Sequence, residues 1–492
     1  MLFPNNDGAI SSKTPEFHAI ILAGYGNNLD PLVDDEKGVH KALLPIGNQP
    51  MVSYTLQWLE EARVFDVLFI TPQSHKAAIQ HHLSSSNSSW PSLRVELESV
   101  DDEEAESLGA ADLLRMFADR IHSDAVVLPC DFVPPPSLPL NLLLNAHRVD
   151  VEDPVITALL VETGEEIKDG PMPTLMGLHA QSNTLLFVDD NADPDDDVSL
   201  RMNMLWRYPR VQLTNRLMDS HVYIFRRTIF DLLQQKDDIS SVREQLVPFL
   251  CKLQYQPRRR EKYGPIINPN ANMQELALEH STTYTASPAQ TQRASKEHPI
   301  HHSIVSTPFS PRSGASTPAV ESVPASQIAD EPEEPPSDHP IRCNVVVHRL
   351  KDGYAARANT LGTYFELNRQ CLRTTATAPV TGEGIDPKAQ VSPDSLVGAS
   401  TRIAERTTVK KCVIGKHCII GKNVRMSGSV LMDHVEVHDG AKIENCIVSS
   451  NCRIGKNASL RDCHLQTGWV VDDEASHKGE RLKRFEAYED ED

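Results

Sequence analysis

Aromatic side chains make up only 5% of this 492-residue sequence, and no long apolar run occurs. No stretch reaches the ~20 consecutive apolar residues of a membrane-spanning helix, and no basic segment leads into an apolar one near the N-terminus. The chain is therefore expected to be soluble, unexported and cytosolic, with no membrane association. Nine cysteines occur without a CxxC pair or a tight framework. They are expected to be free buried thiols in a reducing compartment, with no metal site. Positive charge is also scarce: the formal net charge is −20. This argues against direct nucleic-acid binding over the chain as a whole, and fits simple solubility or a basic protein partner. The length calls for more than one domain.

What is present begins at Phe17. Phe17 to Leu22 (FHAIIL) is an apolar run the length of one buried strand, and Gly24-Tyr25-Gly26-Asn27-Asn28 follows as a turn of residues that tolerate positive φ. Lys41 and Leu43-Leu44-Pro45-Ile46-Gly47 come next. A strand entering a glycine turn brings backbone N–H groups close to a phosphate. Strand and helix patterns then alternate. Met51 to Val64 is helical, Asp66 to Thr71 a strand, Ser74 to Leu83 a helix, Leu93 to Leu97 a strand and Ser107 to Ile121 a helix. Ala125 to Asp131 reads as a buried strand ending in an aspartate, where open α/β sheets bind ligands. Asp131 is either a ligand-site carboxylate or a cap for the loop before Pro134-Pro135-Pro136. A helix from Ser137 to Val149, a strand from Val155 to Val161, and a hairpin over Met176 to Asp190 continue the pattern. Arg210 to Phe225 is strand-like and Thr228 to Leu253 helical, which together imply a mainly parallel sheet covered on both faces. Asp219 and His221 are read as a structural pair beside a strand. The acidic stretch Asp193 to Asp197 lacks calcium-loop spacing and is read as a solvated loop.

Gln256 to Pro340 breaks the pattern. It is punctuated by Ser287-Pro288, Thr307-Pro308, Ser310-Pro311 and Thr317-Pro318, and is expected to be a disordered linker open to proline-directed phosphorylation. A connecting segment, 341–390, opens with a strand-like run, Ile341 to Leu350. From Val391 an apolar residue then returns about every six residues: Val391, Val397, Ile403, Val409 and, after slips, Ile414, Ile420, Met426, Val437, Ile443, Ile454 and Leu460. Glycine follows several of them. This is the hexapeptide pattern of a β-helix over 391–470, roughly four coils of three hexapeptides, with glycine and small residues at the corners. Cys412, Cys418, Cys446, Cys452 and Cys463 are expected to be small apolar fillers, and His417, His434 and His438 exposed or packed. An acidic tail, 471–492, closes the chain, and 1–16 is expected to be flexible.

The string A-G-x-G…K-A-L-L-P-I-G-N-x-P resembles the sugar-phosphate nucleotidyltransferases, of the GDP-mannose pyrophosphorylase kind. That resemblance implies a Rossmann-like α/β domain, here 17–255, followed by a left-handed parallel β-helix. It also implies that Gly24, Gly26, Lys41 and Asp131 are the remnant of a nucleotide site, with Asp131 at the position that coordinates magnesium in active members. Lys41 could equally belong to a packing signature with Leu43, Pro45 and Gly47. Active members carry an arginine where this chain has Asn28, and a neutral amide cannot replace a bidentate phosphate clamp. Gly109-Ala110-Ala111 likewise lacks the hydroxyl of the family's glycine-threonine-alanine motif. No catalytic residue, cofactor or metal is therefore assigned.

Leu217-Met218-Asp219-Ser220-His221-Val222-Tyr223-Ile224-Phe225, with the segment around Leu246, Pro248 and Leu250, resembles a non-pyrophosphorylase branch, the nucleotidyltransferase-like subunits of the eukaryotic translation initiation factor 2B complex. No helical exchange domain is expected after the β-helix, unlike the epsilon subunit. The resemblance implies direct pairing with epsilon and a two-fold decamer with alpha, beta and delta subunits. It also implies action on initiation factor 2, including its phosphorylated alpha subunit, through differential binding that promotes nucleotide exchange. The alternative is mannose-1-phosphate guanylyltransferase, or a silent regulatory subunit of one.

Overall fold

Ten strands carry the N-terminal fold in the computed structural model, which describes residues 15–33, 39–85, 90–150, 153–164, 174–189, 198, 200–269, 341–375 and 384–483. The Ser/Thr-Pro pairs, Asp193 to Asp197, most of the N-terminal segment and the last nine residues lie outside the described residues. The strands are β1 Phe17–Leu22, β2 Asp66–Pro72, β3 Arg94–Val100, β4 Asp124–Pro129, β5 Ile156–Glu162, β6 Leu175–His179, β7 Thr184–Asp189, β8 Val211–Thr214, β9 Leu217–Phe225 and β10 Cys343–His348. Their order across the sheet is β8-β6-β7-β10-β5-β9-β4-β1-β2-β3. β1 runs parallel to both β2 and β4, at the middle of the parallel half. β9 is antiparallel to β4 and β5.

Alternation along each strand sends side chains to two separate cores. Ile20, Leu68, Ile70 and Val127 face one, together with the helix Thr228–Gln235. Ala19, Ile21, Phe69 and Val126 face the other, with the helices Met51–Glu61 and Leu140–Val149. Near-continuous apolar strands are what burial on both faces requires.

Three segments differ from their sequence expectations. The strand-like run in the connecting segment is inserted as β10, parallel to β5 and antiparallel to β7, so the chain after the linker completes the sheet. Pro257–Ile267, within the expected linker, is a helix that buries Ile267 and sets Tyr263 edge-on to Phe249 at 5.4 Å. The helical stretch from Thr228 divides into Thr228–Gln235 and Val247–Leu253, the second entered through a π-helical turn, Val242–Leu246, capped by Ser241.

The β-helix has three flat parallel sheets of six, six and five strands, reaching Leu482. Six rungs therefore replace the expected four. The last rung escaped the pattern because its inward position in register with Leu460 is His477. Inward residues Val409, Ile414, Ile420 and Met426 repeat at five, six and six residues, and Val409, Met426, Ile443 and Leu460 stack in register. The short side of each coil is the physical source of the slips. Corners are turned by residues at positive φ on the same rhythm, among them Asn423, Gly428, His434, Gly440, Asn445, Asn451 and Asn457. The glycines after the inward apolar residues have another reason. A Cβ on Gly398, Gly415 or Gly455 would lie 2.5 Å from backbone of the next rung.

One β-helix face is apolar on its outside as well. Val413, Val430 and Ile447 are buried there, against the helix Leu361–Thr375 and the loop after Lys41. Tyr364 donates its hydroxyl to the Pro45 carbonyl at 2.6 Å, the Gly47 N–H donates to Asn368 Oδ1 at 3.0 Å, and Asn48 Nδ2 donates to the Ile414 carbonyl at 2.8 Å.

Substituting Gly415→Ala forces backbone apart between rungs and should cost about 1–3 kcal/mol, the range of overpacked sites. Gly24→Ala, with nothing within 4 Å of the new methyl, should stay within about 0.5 kcal/mol. Chemical denaturation of the full chain, followed by circular dichroism, separates the two.

Candidate functional site

The C-terminal edge of the parallel strands holds every residue expected at the remnant site. The turn after β1 places Gly24 on the surface, and Gly26 at φ +87, where an added Cβ would meet the Lys41 side chain at 2.8 Å. Gly26 is thus required both for its left-handed backbone and for the passage of Lys41 beneath it. Tyr25 fixes the turn by donating to Asp102 Oδ1 at 2.9 Å, the same oxygen that the Ser74 N–H approaches at 3.1 Å. Asn28 is exposed, on a one-turn 3₁₀ segment.

Asp131, just beyond β4, is completely buried. Lys41 Nζ lies 2.6 Å from its Oδ2. Arg357 approaches the same carboxylate in the bidentate manner, Nε to Oδ1 at 2.9 Å and Nη2 to Oδ2 at 3.0 Å. The short strand Ala356–Arg357 pairs with Phe132–Val133, and the Ala358 N–H donates to the Asp131 carbonyl at 2.8 Å. Asn359 Oδ1 accepts from Lys41 Nζ at 3.3 Å. One carboxylate is therefore held by two cations, one from each side of the long insert. Burial alone would raise the Asp131 carboxyl; Arg357 first and Lys41 next outweigh it and hold it well below the usual carboxylate range. Burial would lower the Arg357 guanidinium, and Asp131 more than compensates.

A cavity of about 270 Å³ adjoins this cluster. Ile70, Val100, Leu108 and Val127 give it apolar walls, and Lys41, Asp131, His221 and Arg357 a polar end. Buried Thr71 lines it, and its hydroxyl has no hydrogen-bond partner among the described residues. His221 reaches the cavity from a bulge in β9, where Asp219 to Tyr223 face only Leu160 to Ala158. Its φ of 57° lies in the left-handed region. Burial, then Arg357 and Arg243, keep its imidazole well below its ordinary pKa. Asp219 bonds elsewhere: it accepts from the His221 N–H at 2.8 Å and from the Tyr223 hydroxyl. Burial is the leading influence on both acids of that contact, raising Asp219 and, with Asp219's charge, raising Tyr223.

At the helix Ala110–Met116 the approach is taken by the chain itself. Gly109 has room for no Cβ, because Ser240 O would lie 2.1 Å from it, and that carbonyl accepts from the Ala111 N–H at 2.8 Å. Arg115 ties the same segment down through the Lys236 and Ile239 carbonyls at 2.7 and 2.6 Å. The structure therefore gathers Lys41, Asp131 and Gly26 and leaves Gly24 at the rim. Arg357 and Ser240 were not identified from sequence. For Arg357 a signal existed: a lone guanidinium among Ala355, Ala356 and Ala358.

A magnesium ion would need free oxygens on Asp131. Both carboxylate oxygens are taken by cations, so the residues present do not fit the metal in this arrangement.

These features define a nucleotidyltransferase-type α/β domain followed by a left-handed β-helix. Residues 18–170 match the family model described as nucleotidyl transferase. Residues 383–477 match the one described as the eIF2B subunit epsilon LbH domain. The chain's curated homologues are more particular. It is 36% identical over 245 residues to translation initiation factor eIF2B subunit gamma of Schizosaccharomyces pombe, covering 49% of this chain and 52% of that protein. With the gamma subunit of Dictyostelium discoideum it shares 24% identity over 427 residues, 79% of this chain and 84% of the other. With eIF2B subunit epsilon of S. pombe it shares 22% over 249 residues, 49% and 36% of the two chains. In the first of these matches the chain spans about half the length of its relative.

Replacing Arg357 with methionine leaves Asp131 buried with one cation and should cost about 3–5 kcal/mol, the range for breaking a buried pair. The pH dependence follows from the depressed Asp131 pKa. Its stabilisation is fully present above the unfolded carboxyl value of about 4 and is lost as pH falls from there toward the folded value. Wild type should therefore lose stability below that point more steeply than Asp131→Asn. Urea midpoints measured from pH 3 to 7 give the comparison.

Proposed function

We propose that this chain is a gamma-type subunit of an eIF2B complex, acting as a non-catalytic partner in guanine nucleotide exchange on translation initiation factor 2 rather than as a nucleotidyltransferase. The observation that carries the non-catalytic part is the closure of Asp131 by Arg357 and Lys41. The domain scaffold is kept while its metal carboxylate is neutralised from within. The similarity to gamma subunits supports the rest, and in the D. discoideum match it runs across most of the chain. In this reading the chain pairs with an epsilon subunit, assembles with alpha, beta and delta subunits into a two-fold decamer, and works in the cytosol. It helps to bind factor 2, including the form phosphorylated on its alpha subunit. Exchange is promoted because the assembly holds factor 2 in a state that retains nucleotide poorly.

A second reading, a regulatory pocket for a small ligand, is favoured by one observation: the cavity beside Asp131 is lined by Thr71, whose buried hydroxyl has no partner among the described residues. Calorimetry with GDP-mannose, GTP and ATP tests it, and no heat at millimolar ligand would remove it.

Affinity purification of the tagged native chain should recover epsilon, delta, beta and alpha subunits in stoichiometric amounts. The purified chain should form no GDP-mannose from mannose 1-phosphate and GTP. Recovery of a mannose-1-phosphate guanylyltransferase, or of the chain alone, would overturn the proposal.

A further inference from the structure

The ten-stranded sheet ends in two unlike edges. At one end β3 settles its charges within the chain: Arg94 meets Asp66 at 2.7 Å, and Glu98 meets Arg120 at 2.6 Å. At the other end β8 is open. Val211 to Thr214 pair with β6 and form no other backbone hydrogen bond among the described residues.

The charge around this edge runs against that of the chain. Residues 200–216 hold four arginines and no acid, and residues 252–263 hold five cations and one acid, in a protein of net charge −20. Arg201, Arg207, Arg210 and Arg216 are exposed and form no ion pair among the described residues. Tyr255 joins the two stretches, packing with Met204 in a small core of its own. Burial pushes its phenol up to about 12, and the charges of Arg201 and Arg259 oppose that shift. Large apolar side chains are exposed at the same edge. Trp206 is 78% exposed, and Met202 and Leu213 are exposed as well. Met202 and Trp206 lie four residues apart on the helix Met202–Arg207, on the side away from buried Met204. A tryptophan in water beside unpaired arginines is the composition of an interface centre.

Three features together define the occupant. Unpaired backbone on a sheet edge accepts an extended strand. Unpaired arginines select acidic side chains and repel a second β8 edge, which disfavours pairing of two copies through it. Trp206 and Leu213 offer seats for apolar side chains, which a strand can alternate with acidic ones. We propose that β8 is a docking edge for an extended acidic segment of a partner protein. The segment adds a strand beside Val211–Thr214, sets carboxylates against Arg207, Arg210 and Arg216, and rests apolar side chains on Trp206 and Leu213. Such docking needs only this edge and is independent of membership of an eIF2B complex.

A dye-labelled heptapeptide that alternates aspartate with valine, phenylalanine and valine serves as the probe, titrated with the full chain and read by fluorescence anisotropy. It should bind saturably at about 50 mM salt and about tenfold more weakly at about 0.5 M, where screening acts within roughly 4 Å. Trp206→Ala, and separately Arg207→Gln combined with Arg210→Gln, should each weaken binding about tenfold. N-methylation of adjacent central amides blocks both edges of the peptide while keeping its charge and side chains, and should also weaken binding about tenfold. Amide hydrogen exchange should slow at residues 211–214 when the peptide saturates the chain. No saturation at millimolar peptide would overturn the proposal. Equal affinity for the N-methylated peptide would overturn it too, because charge alone would then account for the binding. Displacement of the probe by poly(U) at lower concentration than by unlabelled peptide would assign the surface to nucleic acid and sink the proposal. So would a gain in affinity of about tenfold with Asp195→Asn, Asp196→Asn and Asp197→Asn together, which would assign the edge to the chain's own acidic stretch.

Discussion

A carboxylate that no water reaches must be paired, and Asp131 is paired twice over. Everything around this C-terminal edge of the parallel strands follows from that requirement. Lys41 must pass beneath Gly26 to reach it, which fixes the glycine. Arg357 must arrive from beyond the long insert, which fixes the short strand Ala356–Arg357 beside Phe132–Val133. Asn359 then completes the shell of Lys41, and two residues later the helix Leu361–Thr375 begins. Asp131 thereby organises the chain's own connection to its β-helix.

That connection is extensive. The Pro45 to Asn48 loop, expected to be part of a nucleotide signature, spends its polar groups on Tyr364, Asn368 and the Ile414 carbonyl. Outward-facing Val413, Val430 and Ile447 complete the contact from the β-helix side. Signature glycines and prolines shape a surface for packing as effectively as a surface for phosphate. The two uses overlap at Lys41.

Local patterns were legible in the sequence where periodicity was strong. The βα alternation, the buried strand at Ala125 and the hexapeptide rhythm each carry a period that fixes the element. The slips in that rhythm were visible as well, and the structure gives their cause in the five-residue side of each coil. Relations across long separations were not legible. Nothing near Arg357 announces a partner more than two hundred residues upstream, and the run Cys343–His348 looks the same whether it links two domains or completes a sheet. Ser240 meets Gly109 through its backbone carbonyl, which requires glycine at 109 but leaves no mark on the identity of residue 240. The last rung was missed for the opposite reason: parallel backbone hydrogen bonds hold it although His477 takes an inward place that apolar residues fill in the rungs before it.

The place of β10 bears on how the chain is made. The strand is flanked by β5 and β7, both synthesised more than 150 residues earlier, and Gln254 fastens its entry by accepting from the Cys343 N–H at 3.2 Å. On the ribosome the first 250 residues emerge with a vacant slot in the middle of their sheet, its two walls offering unpaired backbone to any extended chain nearby. The sheet closes only when residue 348 has left the exit tunnel, after the whole insert. The extra length of that insert adds little closure entropy, since the term grows only with the logarithm of loop length. Its cost is time, during which the open slot is most vulnerable to the wrong strand.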